Sequence, residues 1–324
     1  MKTMVRTVIV SVIVSTILMA LSATAATQRI EARMEADRVV VEIDGNVFTE
    51  YLFSAEHKYP FFYPVVGPAS GETITTWNQF PFPHHSSLYL SLDHVRSGNV
   101  QGHANYWQPR DDLSTGHVLS RQPEILASDG DAVVLRDRTE WVVPKDDHAH
   151  QLSDVRTIRI TAPSPNIRLL DFQFELTPEV YLRVGPTGHS FFSVRVRPEL
   201  AVGSPRMAAG LTSVATGTII DSRGGRNEAE IREKKADWVT KYGTINGHKE
   251  GIAIIQHSDN PLSPAKWFIR DYGFMSPTPF AFDGPISMNQ GETWTFRYRV
   301  VVFSGDPDWV DIPALKRDFE DAHQ

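Results

Sequence analysis

The sequence predicts an all-β fold: one large antiparallel β-sandwich, of the supersandwich or galactose-mutarotase-like kind, with few short helices. Three observations predict it. Runs of period-2 alternation recur along the chain, Gly, Pro and Asp turn signals separate them, and helical periodicity is sparse. There is no internal repeat and no Pro/Gly-rich seam, so residues 26–324 read as a single domain.

The elements follow in order. Arg38 to Phe48 pairs two β-prone runs around Asp44-Gly45, a good hairpin turn. Ala132 to Val143 is a further strand-like run. Val155 to Ile160 alternates, and Pro163-Ser-Pro-Asn then turns the chain. From Ile167 to Leu176, an apolar set of Leu170, Phe172, Phe174 and Leu176 alternates with Leu169, Asp171, Gln173 and Glu175. Phe191 to Val196, Gly251 to Ile255 and Thr293 to Phe303 complete the strand signals. The charged stretch Asn227 to Trp238 has room for a short helix. Pro313 to Asp321 predicts a terminal helix with Asp311 as its cap.

The N-terminus carries a different signal. Lys2 and Arg6 precede the mostly apolar run Thr7 to Leu21, and Ala23-Thr-Ala25 supplies small residues for cleavage. That is the layout of a secretory signal peptide over residues 1–25, too short for a comfortable membrane span. It predicts a periplasmic or secreted bacterial protein of a Gram-negative cell. The chain has no cysteine, so no disulfide supports it and a large core must. The formal charge is −7, and removing the two cations Lys2 and Arg6 makes it −9. An acidic chain is a poor nucleic-acid partner, because phosphate binding needs a basic face. The later apolar runs are short, so no membrane association is expected once the signal is cleaved.

Three stretches carry chemistry. The first runs from Phe80-Pro-Phe-Pro-His84-His85 through His94 and His103 to Tyr106-Trp107 and Gly116-His117. Imidazoles titrate near neutrality and ligate metals, and His84, His85, His103 and His117 lie among aromatic residues. A divalent metal is compatible with two or three of them, but the spacing matches no strict motif. The second is Asp237-Trp238 to Tyr242-Gly243, material for a sugar platform in which a ring stacks on C–H faces beside a carboxylate. The third runs from Gly251 through His257 and Asn260-Pro261 to Trp267-Phe-Ile-Arg270-Asp-Tyr272-Gly. There Arg270 suits a carboxylate, and Tyr272 with a histidine suits proton transfer. No nucleophile elbow, phosphate loop or dinucleotide fingerprint is present.

The same stretches, with Tyr59-Pro-Phe-Phe-Tyr-Pro-Val-Val-Gly-Pro, resemble a bacterial family of unknown function called PmoA-like, after a methane oxygenase subunit. The resemblance covers about Tyr59 to Tyr272, and Ser86 stands where that family often has Arg. A membrane oxygenase role is excluded by the lack of long apolar spans after the signal. The resemblance implies a place in saccharide degradation.

The expected function is a secreted carbohydrate-active enzyme, a lyase or dehydratase that β-eliminates uronate-containing saccharides. Arg270 would neutralise the carboxylate, His85, His103 or His257 would take the proton, and Tyr272 or another histidine would protonate the leaving oxygen. His84, Trp107, His117, Asp237, Trp238, Tyr242, Asn260 and Trp267 would bind the saccharide. Two alternatives stand beside it: a glycoside hydrolase using Glu140 and Asp237, and a non-catalytic sugar-binding protein.

Overall fold

The computed structural model describes residues 28–100, 102–108, 114–128, 130–147, 149–207 and 211–322. The predicted signal peptide, residues 1–25, lies outside the described residues.

Strands hydrogen-bond into three sheets. The nine-stranded sheet runs Glu124–Ser128, Ala132–Val143, Ala149–Ser164, Ile167–Pro178, Trp294–Ser304, His248–Gln256, Trp238–Ile245, Thr218–Asp221, and His117–Ser120 also pairs with Ala132–Val143. The eight-stranded sheet runs Ile30–Met34, Arg38–Ile43, Asn46–Leu52, Phe61–Val65, Leu88–Ser91, Phe191–Arg195, Phe274–Pro277, Trp267–Arg270. A five-stranded sheet of short strands lies beside them, and Ala104–Asn105 pairs in parallel with Ser114–Thr115 there. The other strand pairs described are antiparallel, as the alternating sequence predicts.

Local sequence explains these elements. Asp44 and Gly45 both take positive φ, 50° and 77°, which closes the predicted two-residue hairpin between Arg38–Ile43 and Asn46–Leu52. Phe172 and Phe174 sit opposite Tyr298 and Phe296, so one face of the large sheet is a continuous apolar surface. The Phe62 and Phe192 rings meet Phe172 at 5.6 Å and 4.9 Å, and this contact stacks the two large sheets. Each aromatic side chain taken out of water there contributes about 1.5–3 kcal/mol. Two buried polar pairs tie the sheets internally: Tyr51 donates to Asp137 at 2.7 Å, and Trp141 Nε1 donates to Asp154 at 2.6 Å.

The two predicted helices form at Asn227–Ile231 and Ile312–Asp321. In the second, the Asp311 side chain accepts from Ala314 N at 2.9 Å, the predicted N-cap. That helix seats Ile312 and Phe319 on Leu169, Ala253, Ile255, Val301 and Phe303, covering part of the large sheet's outer face. No helix among the described residues is long and apolar enough to cross a membrane.

Period 2 also fixes which side chains leave the core on the eight-stranded sheet. Phe62, Leu88, Leu90, Phe192 and Val194 point inward. Their neighbours Phe61, Tyr89, Ser193 and Arg195 therefore project outward, and Phe274 joins them opposite Arg195. This outward face is nevertheless buried, because loops cover it. The candidate site lies between those loops and the strands.

Candidate functional site

The loops that cover this face carry the imidazoles. His84 and His85 come from the turn before Leu88–Ser91, and their rings are 4.4 Å apart. His85 is 3% exposed, 4.5 Å from the Phe274 ring and 5.9 Å from Trp107, and its Nδ1 is buried without a hydrogen-bond partner. Burial, then the charges of His84, Arg195 and His189, push its pKa well below the usual histidine value. His84 is half-buried and held at about 4, first by burial and then by His189, Arg195 and Lys58. Both imidazoles are therefore neutral at pH 7, with a lone pair available.

Beneath them lies Arg195, at the end of Phe191–Arg195 and 3% exposed. Its Cζ is 4.7 Å from the Tyr272 ring centroid, Nη1 donates to the Tyr272 carbonyl, and Nε has no partner. Among the described residues no carboxylate pairs with it. Burial pulls its pKa down to about 10, so the guanidinium stays charged but at a cost. Tyr272 is 4% exposed, and burial pushes its phenol up to about 12, so it remains a proton donor. Phe82 lies across His85 and Tyr272 at 5.2 Å and 4.6 Å and roofs the group.

His84 opens from this group into a cleft of about 390 Å³. The cleft is lined by His57, Lys58, Tyr59, Trp77, His84 and His117, with other residues around them. Lys58 donates to the carbonyls of Asn105 and Gly116 at 3.0 Å and 2.8 Å, and burial lowers its pKa to about 8. Trp77 is 39% exposed and offers an open ring. On the far side, Trp107 meets His189 at 5.1 Å, and His189 Nε2 lies 2.8 Å from Asp93 Oδ2.

The structure thus brings together His84, His85, Trp107, Tyr272 and His117, and reaches His103 through Asp93 and His94. The remaining expected site residues lie elsewhere, for identifiable reasons. Arg270 is near Tyr272, but Glu228 Oε1 holds its Nη1 at 2.9 Å, so its charge is already answered. His257 follows Ala253 and Ile255 on the large sheet's outer face and meets Phe319 edge-on at 5.4 Å. Trp238 and Tyr242 share that face and pack against the same helix-covered cluster, outside the group around His84 and His85. Asp237 is exposed beside them. Asn260 bonds both polar atoms of its side chain to the Arg297 backbone. Trp267 is fully buried, and its Nε1 donates to the Ala236 carbonyl at 2.8 Å.

Glu140 and Asp237 fare no better as a catalytic pair. Glu140 pairs with Arg121, and four strands separate the Glu140 strand from the one Asp237 precedes. Five strand spacings amount to about 24 Å, well beyond the 10 Å that two working carboxylates tolerate.

Sequence reading missed Arg195, His57, Lys58, Trp77, Phe82, His189 and Asp93. Only Arg195 left a usable trace. In Phe191-Phe-Ser-Val-Arg195 it ends a short, mostly apolar strand run, so it could have been read as a cation under cover rather than in solvent.

Comparison with known proteins places the fold in context. Matching solved structures include a polysaccharide lyase, with TM-score 0.33 and 12% identity over 88% of this chain. The chain spans 34% of that lyase. A galactose mutarotase related enzyme from Lactobacillus acidophilus matches with TM-score 0.32 and 8% identity, over 86% of this chain and 97% of its own. A GalM/aldose epimerase homologue from C. elegans gives 0.30 and 9%, over 86% and 99%. Likenesses this distant carry no argument about chemistry. No curated protein matches the chain. The PmoA-like resemblance is corrected by the family comparison, which identifies a different model and gives no sign of that family. With residues 38–316 matched, the chain belongs to the family described as Family of unknown function (DUF6807).

Proposed function

We propose that the chain is a secreted bacterial carbohydrate-active enzyme that cleaves uronate-containing saccharides by β-elimination, at the site on the covered face of the eight-stranded sheet. The observation that carries this reading is Arg195: a buried guanidinium with no carboxylate partner among the described residues, beside two neutral imidazoles and a protonated phenol. A buried cation left unanswered by its own chain is suited to an anion supplied by a ligand.

The proposed roles are these. Arg195 receives the substrate carboxylate and stabilises the negative charge that builds on it in the transition state. His84, which opens into the cleft, takes the proton from the carbon next to that carboxylate. The released electron pair forms the carbon–carbon double bond, and the bond to the leaving oxygen breaks. The Tyr272 hydroxyl gives that oxygen a proton and regains one from the imidazolium through solvent. No water is consumed. Trp77 and His117 hold the neighbouring sugar in the cleft. Arg195 takes the part that sequence reading expected of Arg270.

The test is incubation of purified protein with uronate oligosaccharides, followed by near-ultraviolet absorbance and product mass. The expected result is an absorbing, unsaturated product without added water, lost in Arg195→Met and His84→Ala. Saturated products that have gained water, or tight binding with no product, would overturn the reading.

A further inference from the structure

We infer that Asp93, His94 and His103 form a binding site for a borderline divalent transition cation of the zinc class, linked to the candidate site through His189 and Trp107. One ligand atom from each of the three lies within 4.8 Å of the others. A tetrahedral cation with bonds near 2.1 Å sets its donors about 3.4 Å apart, so a modest side-chain adjustment closes the set. Two imidazoles with one carboxylate is a donor set that suits zinc, cobalt, nickel or ferrous iron over the all-oxygen cations magnesium and calcium.

The surroundings favour a site over a chance grouping. Asp93 is fully buried, which is costly for a carboxylate unless cations or donors answer it. The His94 and His103 rings lie nearly parallel, 4.4 Å between centroids and 16° between planes, so both imidazoles are presented side by side. His94 Nδ1 is buried 3.1 Å from Asp93 Oδ1 but without hydrogen-bond geometry. Asp93 Oδ1 also accepts from the His94 backbone N–H at 2.7 Å, and with His94 Nδ1 unprotonated the two atoms suit a shared cation.

The second Asp93 oxygen faces away from this point and holds His189 Nε2 at 2.8 Å. Ligating carboxylates of metal centres are themselves hydrogen-bonded by outer groups, and His189 fills that place here. His189 in turn meets Trp107, whose ring also contacts His85. Three protein ligands leave one coordination position for water or a substrate oxygen. The cation binding stands apart from the elimination chemistry, and its test does not depend on turnover.

The experiment uses untagged full-length protein freed of metal with a chelator. It is titrated with Co²⁺ by visible absorption and with Zn²⁺ by calorimetry, and each form is also melted with and without Zn²⁺. The expected result is one cation per chain, ligand-field bands of low-symmetry Co²⁺, and a melting temperature raised by Zn²⁺. His94→Ala and His103→Ala should each weaken binding tenfold or more, and His117→Ala should leave it unchanged. Asp93→Asn should do the same if it folds, and His103→Ala carries the test if it does not. Absence of saturable binding in the unmodified protein would overturn the inference. So would one-to-one binding that survives in both histidine variants.

Discussion

Replacing Arg195 by Met separates a functional arginine from a structural one, because the two readings predict opposite signs for stability. Burial lowers the Arg195 pKa from its usual value to about 10, which corresponds to about 3 kcal/mol of unfavourable burial of the charge. Methionine removes that cost and fills similar volume. It also forfeits the hydrogen bond to the Tyr272 carbonyl, about 1 kcal/mol, and the stacking of the guanidinium on the Tyr272 ring, about 0.5–1 kcal/mol. The net expectation is a gain of about 1 kcal/mol, or roughly 1–2 °C in melting temperature for a chain of this size. The same variant should lose binding of acidic saccharides while keeping any affinity for neutral ones. Thermal melts with and without a uronate oligosaccharide make both measurements. Destabilisation by several kcal/mol with saccharide binding intact would refute the reasoning and make Arg195 a structural residue.

Three further predictions follow from the same interior. The His84 pKa of about 4 places the acid limb of a pH–rate profile for kcat/KM near pH 4, and a limb centred near 6.5 would exclude His84 as the base. Lys241, fully buried with one hydrogen bond to the Arg270 carbonyl, is lowered by burial to about 7. The unfolded chain therefore binds the extra proton between pH 7 and the ordinary lysine value near 10.5, so stability should rise with pH across that window, and Lys241→Met should flatten the slope and stabilise at pH 7 by about 1–3 kcal/mol. Denaturant titrations at several pH values record both effects. Asp311→Ala should cost about 1 kcal/mol by removing the cap of the last helix, read as a fall in denaturation midpoint.

Much of the fold was legible because periodicity is a local property. Ile167 to Leu176 shows its alternation within ten residues, and Leu170, Phe172, Phe174 and Leu176 are the side chains that enter the core. The Asp44-Gly45 hairpin and the Asp311 cap were equally readable, since turn and cap chemistry involve residues a few positions apart. The site was less so. His84 and His85 were found because aromatic and imidazole groups crowd one stretch. His189, Asp93 and Arg195 come from separate segments, and only the sheet order Leu88–Ser91, Phe191–Arg195, Phe274–Pro277 makes them neighbours. Trp267 and Trp238 show the converse: a tryptophan in an apolar run looks alike in sequence whether its ring meets a sugar or the core. What distinguishes them is the partner of Nε1 or the helix overhead, and both are set by distant chain.

The last helix has a consequence for handling the protein. It shields a strip of apolar side chains, Ala253, Ile255, Val301 and Phe303, on the outside of the broad sheet. A chain cut before Ile312 would leave that strip wet, with its strands still formed. Such a surface invites sticking between molecules, so a shortened product would scatter light and elute early in size exclusion even though its interior remained intact. Affinity handles and fusion partners attached at that end should therefore be spaced well clear of Phe319, whose seat closes the strip.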